Sequence, residues 1–161
     1  MSIVRTGIGY DCHRLVAGRP LIVGGVAIEH DRGAEGHSDA DVLSHAVIDA
    51  LLGACALGDI GEHFPDTDPR FEDADSIELL GAAVTMVADA GFAIVNVDAT
   101  VMLERPKLAP AREAMRERLA AALGLELGSV SVKATRGEGM GFVGREEGVA
   151  ALAIATVLPR P

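Results

Sequence analysis

The chain has 161 residues and a mass of 16.6 kDa, which is one domain's worth of sequence and enough to bury a core without disulfide staples. It is 49% hydrophobic and 24% charged, which excludes general disorder. Fourteen Lys and Arg against 24 Asp and Glu give a net charge of −10, with 3% aromatics. An acidic surface poor in stacking rings excludes a nucleic-acid partner. It leaves room for a phosphorylated small molecule in a pocket that is locally positive or holds a metal. Cys12 and Cys55 make no disulfide framework. Residues 1–7 carry no apolar signal core, and no apolar run reaches the roughly 18 residues of a membrane span. The expectation is a reduced, cytoplasmic protein with no membrane partner.

In chain order, residues 3–11 read as a first strand. Leu21-Ile22-Val23 and Val26-Ala27-Ile28 flank Gly24-Gly25 as a short hairpin. Residues 29–38 are polar and contain glycine, so they read as a loop. Ser38-Asp39-Ala40-Asp41 sets an acid three residues after a capping serine and predicts a helix opening at Ser38. Its apolar stripe is Val42, Leu43, Ala46, Val47, Ala50 and Leu51. Residues 58–75 form a long irregular stretch rich in Asp, Pro and Gly, a length usually kept for functional or mobile loops. Asp75 with Glu78 caps a second helix that ends at Gly91. Residues 93–103 alternate as a long strand. Residues 110–123 form a third helix, with Met115, Leu119, Ala122 and Leu123 inward and Gly124 as its stop. Residues 130–134 and 149–158 are the last strands.

This order predicts an α+β fold, an α/β sandwich with three helices on one face of a mixed, ferredoxin-like sheet. Residues 1–161 then form one domain. The other sheet face has no cover within the chain, and strands this apolar call for oligomerisation.

Five segments carry candidate chemistry. In Asp11-Cys12-His13 at the end of the first strand, residues i and i+2 point the same way, so Asp11 and His13 aim at one spot and supply half a zinc site or a local hydrogen bond. Asp41, His45 and Asp49 are spaced i, i+4, i+8 and share a helix face opposite the apolar stripe, either a solvated polar face or a source of a third ligand in His45. Two His and one Asp leave the fourth zinc position open, with Asp49 or Asp41 as orienting partners. His37 stands at the helix entrance, where backbone N–H groups favour an anion. The segment from Gly58 to Pro69 holds Asp59, Asp66 and Asp68 in a turn-rich loop that suits sugar hydroxyls or a cation, or is an acidic turn cluster. Glu104-Arg105-Pro106-Lys107 lies between a strand and a helix, as a phosphate- or base-recognition loop or two solvated cations. Finally, the stretch from Lys133 to Arg145 has four glycines in eight residues, so its backbone can approach a ligand closely. There Thr135, Arg136 and Arg145 can donate to phosphates and Glu138 can hold a hard cation; a flexible connection is the alternative.

Together these motifs resemble the 2-C-methyl-D-erythritol 2,4-cyclodiphosphate synthase family. Its carriers are Gly9-Tyr10-Asp11-Cys12-His13, His37-Ser38-Asp39-Ala40-Asp41 with His45, residues 56–61 with 64–69, Asn96-Val97-Asp98, Arg105-Pro106-Lys107, Lys133-Ala134-Thr135, Gly141-Phe142 and Gly144-Arg145. They cover essentially the whole chain in order. The resemblance implies a homotrimer around a central apolar cavity, with active sites between neighbouring subunits. It implies zinc, or another divalent transition metal, on Asp11, His13 and His45, and magnesium or manganese on Glu138. The implied substrate is 4-diphosphocytidyl-2-C-methyl-D-erythritol 2-phosphate, cyclised with release of CMP.

The resemblance also gives roles to residues. His37 and Ser38 contact phosphate, and Asp59, Gly61, Phe64, Asp66 and Asp68 close over the erythritol part. Leu103, Pro106, Lys107, Leu108, Ala109, Ala134 and Thr135 form the cytidine pocket. Phe142 and Arg145 complete the contacts, and an isoprenoid diphosphate is the guess for the cavity. The family places Thr after Thr135, where it assists the transition state; this chain has Arg136, a bidentate phosphate donor in its stead or a side chain pointing away. Cys12 and Cys55 are expected to be buried hydrophobes. The competing readings are a zinc-dependent phosphohydrolase and a trimeric metal-sensing protein.

Overall fold

The computed structural model describes residues 3–160. Seven strands and five α-helices follow in the order β1 (Arg5–Ala17), β2 (Leu21–Val23), β3 (Val26–Ile28), β4 (Arg32–Ala34), α1 (Val42–Ala54), α2 (Ile60–His63), α3 (Ser76–Asp89), β5 (Phe92–Met102), α4 (Arg112–Leu123), β6 (Val130–Thr135), α5 (Gly141–Gly144) and β7 (Gly148–Pro159). Strands β4-β1-β7-β5-β6 form one mixed sheet, and β2 and β3 pair as the expected hairpin. The unit β5–α4–β6 is the expected strand–helix–strand crossover, with β5 and β6 parallel. Helices α1, α3 and α4 lie on one face, α1 across β1 and β7, α3 against β5, and α4 against β6.

The close seat of α1 follows from small residues. A Cβ on Gly7 or Gly9 of β1 would overlap the carbonyl oxygens of Ala50 and Ala46, so the helix backbone rests directly on the strand. That contact brings His45 of α1 beside Asp11 and His13 of β1.

The opposite face is uncovered within the chain. Ile8, Tyr10, Leu152 and Ile154 are exposed there and sit side by side, Ile8 opposite Ile154 and Tyr10 opposite Leu152.

Several expectations change. Strand β1 does not stop at Asp11; it continues to Ala17, because β7 pairs it through Arg14 and β4 pairs its end. Residues 32–34 of the expected loop are therefore strand. On α4, Ala120 is buried with Met115, Leu119 and Leu123 while Ala122 is only half-buried against the core, and Cys12 lies exposed on the uncovered face while Cys55 is buried.

Helix α1 opens three residues later than expected, with Asp41 rather than Ser38 as its cap. Asp41 is fully buried and accepts from the N–H groups of Leu43, Ser44, Gly24 and Gly25 and from the Ser44 hydroxyl. Burial pushes its carboxyl up, against those five donors. It thus ties the hairpin turn to the helix start and takes no part in orienting His45. Asp41→Asn turns an amide N–H₂ toward donors. It is expected to destabilise the protein by about 2–3 kcal/mol and to lower Tm by roughly 10 °C in thermal unfolding.

Candidate active site

Three donor atoms meet on the helical face of the sheet. His13 Nε2 lies 2.8 Å from Asp11 Oδ2, His45 Nδ1 lies 3.0 Å from the same oxygen, and the two nitrogens are 3.2 Å apart. All three side chains are largely buried. In a tetrahedral zinc site with bonds of about 2.0–2.1 Å, ligand atoms stand about 3.3 Å apart. The three atoms therefore have the spacing of one face of such a tetrahedron, and their chemistry, one carboxylate and two imidazoles, suits a divalent transition metal.

Electrostatics agrees with that geometry. Burial alone would raise the Asp11 carboxyl, but hydrogen bonds and charge from His13 and His45 hold it well below the usual carboxylate range. Burial likewise opposes a charged His45, and Asp11 outweighs it and raises the imidazole above its ordinary value. The ionised Asp11 carboxylate that favours a proton on His45 equally favours a cation in the proton's place, bound by the neutral imidazoles.

The polar face expected on α1 is not solvated. Its residues are buried apart from His45, Asp49 and Gly53. Asp49 accepts from the Ile60 N–H at 2.8 Å and so anchors α2, not the histidines. The partners of His45 are instead Ser38 Oγ at 3.1 Å and Ser76 Oγ at 2.9 Å, both on Nε2. Ser76 escaped notice in the sequence because its neighbour Asp75 already caps the helix and a serine in a first turn carries no signal of its own.

The two histidines of the triad border a cleft of about 470 Å³. His37, Ser38, Gly61, Phe64 and Asp66 line it with His13 and His45, as expected. The missed lining residues include Ile60, Phe71 and Leu79, an apolar wall without a polar signature. Asp59 and Asp68 are not among the lining residues. Asp59 caps α2 by accepting from the Glu62 N–H, and Asp68 caps the short 3₁₀ turn Pro69–Phe71 while Arg70 engages both its oxygens. The 37–41 and 73–76 segments are laced together: the Asp73 N–H donates to the His37 carbonyl and the Asp39 N–H to the Ala74 carbonyl.

A second pocket of about 130 Å³ lies at the ends of β5 and β6. It collects Leu103, Pro106, Lys107, Leu108, Ala109, Ala134 and Thr135, the set expected to receive a base, and adds Arg112 and Arg136. Glu104 accepts from the Gly137 N–H at 2.9 Å and clasps the glycine-rich segment to this pocket. Lys133 points the other way and pairs with Asp98 at 2.6 Å, which holds that carboxyl low. Arg136 contacts Glu138 at 3.2 Å, Arg145 pairs with Glu147 at 2.9 Å, and Phe142 shares a third recess with His13.

Fold and site thus define an α+β protein with a two-His, one-carboxylate cluster that could hold a metal beside a cleft, and a separate pocket flanked by cationic side chains. The profile of the YgbB family matches residues 4–158, and the chain belongs to that family. It is 64% identical over 154 residues to the 2-C-methyl-D-erythritol 2,4-cyclodiphosphate synthase of Salinibacter ruber, covering 96% of this chain and 98% of that one. Among solved structures it matches the bifunctional IspDF of Campylobacter jejuni with a TM-score of 0.95 and 43% identity, over 99% of this chain and 43% of that longer one. It also matches IspF of Plasmodium falciparum in complex with CDP, with a TM-score of 0.86 and 28% identity over 98% of this chain and 97% of that one. No helix among the described residues is long and apolar enough to cross a membrane.

Proposed function

We propose that this protein converts 4-diphosphocytidyl-2-C-methyl-D-erythritol 2-phosphate to 2-C-methyl-D-erythritol 2,4-cyclodiphosphate with release of CMP. It would act as a cytoplasmic phosphorus–oxygen lyase in the non-mevalonate route to isoprenoids, with residues 1–161 as one domain. The observation that carries this reading is the meeting of Asp11, His13 and His45 donors on a cleft, in a chain 64% identical to a synthase of that name.

The chemistry asks little acid–base work of the chain. The nucleophile is an oxygen of the substrate's own 2-phosphate, already an anion. It forms a bond to the β-phosphorus while the bond from that phosphorus to the bridging oxygen breaks, and CMP leaves with the electron pair. Such a transfer depends on positioning and on neutralising charge. Asp11, His13 and His45 would hold zinc or another divalent transition metal, and Glu138 magnesium or manganese, to supply positive charge that polarises the phosphates.

In this reading His37 and Ser38 bind phosphate, and Asp59, Gly61, Phe64, Asp66 and Asp68 enclose the erythritol part. Asp59 and Asp68 would have to turn from their present caps to reach it. Leu103, Pro106, Lys107, Leu108, Ala109, Ala134 and Thr135 receive the cytidine, with Phe142 and Arg145 nearby. Arg136 would stand where the family resemblance places Thr and give a bidentate phosphate contact. Glu138 is free for a cation once Arg136 swings from it to phosphate.

The same reading includes a homotrimer around a central apolar cavity, with an isoprenoid diphosphate as the cavity ligand. The exposed Ile8, Tyr10, Leu152 and Ile154 support an apolar face buried against other copies of the chain.

Phosphorus NMR on the purified protein with the diphosphocytidyl substrate, Zn²⁺ and Mg²⁺ tests the activity. Cyclic diphosphate and CMP are the expected products. A linear, hydrolysed phosphate would assign the site to water-dependent hydrolysis instead.

A further inference from the structure

The two nitrogens of the His45 ring lie in different settings. Nδ1 faces Asp11 and His13, 3.0 and 3.2 Å away. Nε2 lies on the far side, 2.9 Å from the hydroxyl of Ser76. Ser76 is fully buried at the first turn of α3, and its hydroxyl donates to Oδ1 of Asp39. A carboxylate only accepts, so the single hydroxyl proton of Ser76 is committed to Asp39. Asp39 is fixed in turn, because its Oδ2 accepts from the Ser76 N–H and its Oδ1 from the Asp41 N–H, each at 3.2 Å.

With its proton committed, Ser76 Oγ faces His45 as an acceptor, and Nε2 must carry the hydrogen. A neutral imidazole has one N–H, so the lone pair is on Nδ1, the nitrogen turned toward Asp11 and His13. Ser38 also stands near Nε2, at 3.1 Å, but its oxygen accepts from the Ala40 N–H and lines the cleft. Its own proton is left for an anion in the cleft.

We propose that Ser76 and Asp39 are positioning residues that fix the tautomer and ring orientation of His45, so that Nδ1 is the atom offered to a cation. The inference rests on reading Asp11, His13 and His45 as the metal site. A hydrogen-bonded partner on the far nitrogen of a ligating histidine is the general device for this. Here the partner is a carboxylate acting through a serine. Because Ser76 follows directly on the 58–75 loop, whose Phe64 and Asp66 line the cleft, the loop's end and the cation site share one hydrogen-bond chain.

Cadmium-113 loading of the wild-type protein with ¹⁵N-labelled histidine tests the assignment without altering the fold. The expected spectrum has one-bond cadmium coupling to Nδ1 of His45, with Nε2 protonated. Coupling to Nε2 of His45 overturns the positioning role while keeping the metal site. Absence of coupling to both His13 and His45 overturns both. Zinc affinity by chelator competition gives a second readout. Ser76→Ala is expected to weaken zinc binding about 10- to 100-fold, with metal-free thermal unfolding used to check that the variant is folded. Ser38→Ala is expected to leave zinc affinity within about 3-fold, since it removes no group on which the tautomer depends. Unchanged zinc affinity in folded Ser76→Ala, or a loss that tracks Ser38 instead, overturns the proposal.

Discussion

His45→Ala is expected to lose bound zinc and to slow cyclisation at least about 1,000-fold, a loss of roughly 4 kcal/mol of transition-state stabilisation. The variant keeps only Asp11 and His13, two ligands where catalytic zinc sites use three. The fold should survive. Helix α1 is held by the Asp41 cap and by buried Val42, Leu43, Val47 and Leu51, none of which depends on the imidazole. What the variant loses is a buried ring and its hydrogen bonds to Asp11 and Ser76, worth about 2 kcal/mol, so Tm falls by several degrees. Metal content, thermal unfolding and phosphorus NMR on the same sample separate the two effects. A folded His45→Ala protein with normal turnover would sink the metal assignment.

Of the two readings of the His45 face, solvated surface or source of a third ligand, the structure removes the first, and the reason is instructive. Spacing put Asp41, His45 and Asp49 on one side of α1, and polar residues on one side read as a wet face. The helix is instead wedged between the sheet, the hairpin and α3, so polar residues there must find partners inside the protein. Asp41 finds backbone N–H groups, Asp49 finds Ile60, and His45 finds the cation-site triangle. A similar bias shortened β1. Asp11 and His13 on the inward face interrupt the apolar alternation, and the strand reads as ended where function replaces core residues.

Other parts were plain. Capping by Asp75, the stop at Gly124 and the alternation of β5 fix their elements to within a residue or two. The second pocket is of another kind. Leu103, Ala109 and Ala134 bear no chemical signature, and only the resemblance marked them. Ser76 and Asp39 were hidden for the opposite reason, since helix-start grammar already explained a serine and an aspartate at such places.

Mixing two inactive variants is expected to restore activity if the active sites lie between subunits. Within one chain the cation cleft and the second pocket do not merge: β1 and β6 are three strand spacings apart, roughly 14 Å. In the proposed trimer, each site would take Asp11, His13 and His45 from one subunit and Lys107 and Thr135 from its neighbour. Lys107→Glu sets a negative charge in the second pocket, against a diphosphate substrate, and is expected to cut turnover more than about 100-fold on its own. His45→Ala spoils the other half. Chains of the two kinds, co-expressed with different tags and assembled at random, build an intact site wherever a Lys107→Glu subunit supplies the triad and a His45→Ala neighbour supplies the pocket. Each condition holds half the time, so about one quarter of sites are intact in a closed ring. Activity near one quarter of wild type, against almost none for either parent, is the expected readout. If each chain instead forms its whole site alone, every site carries one lesion and the mixture stays as inactive as its parents.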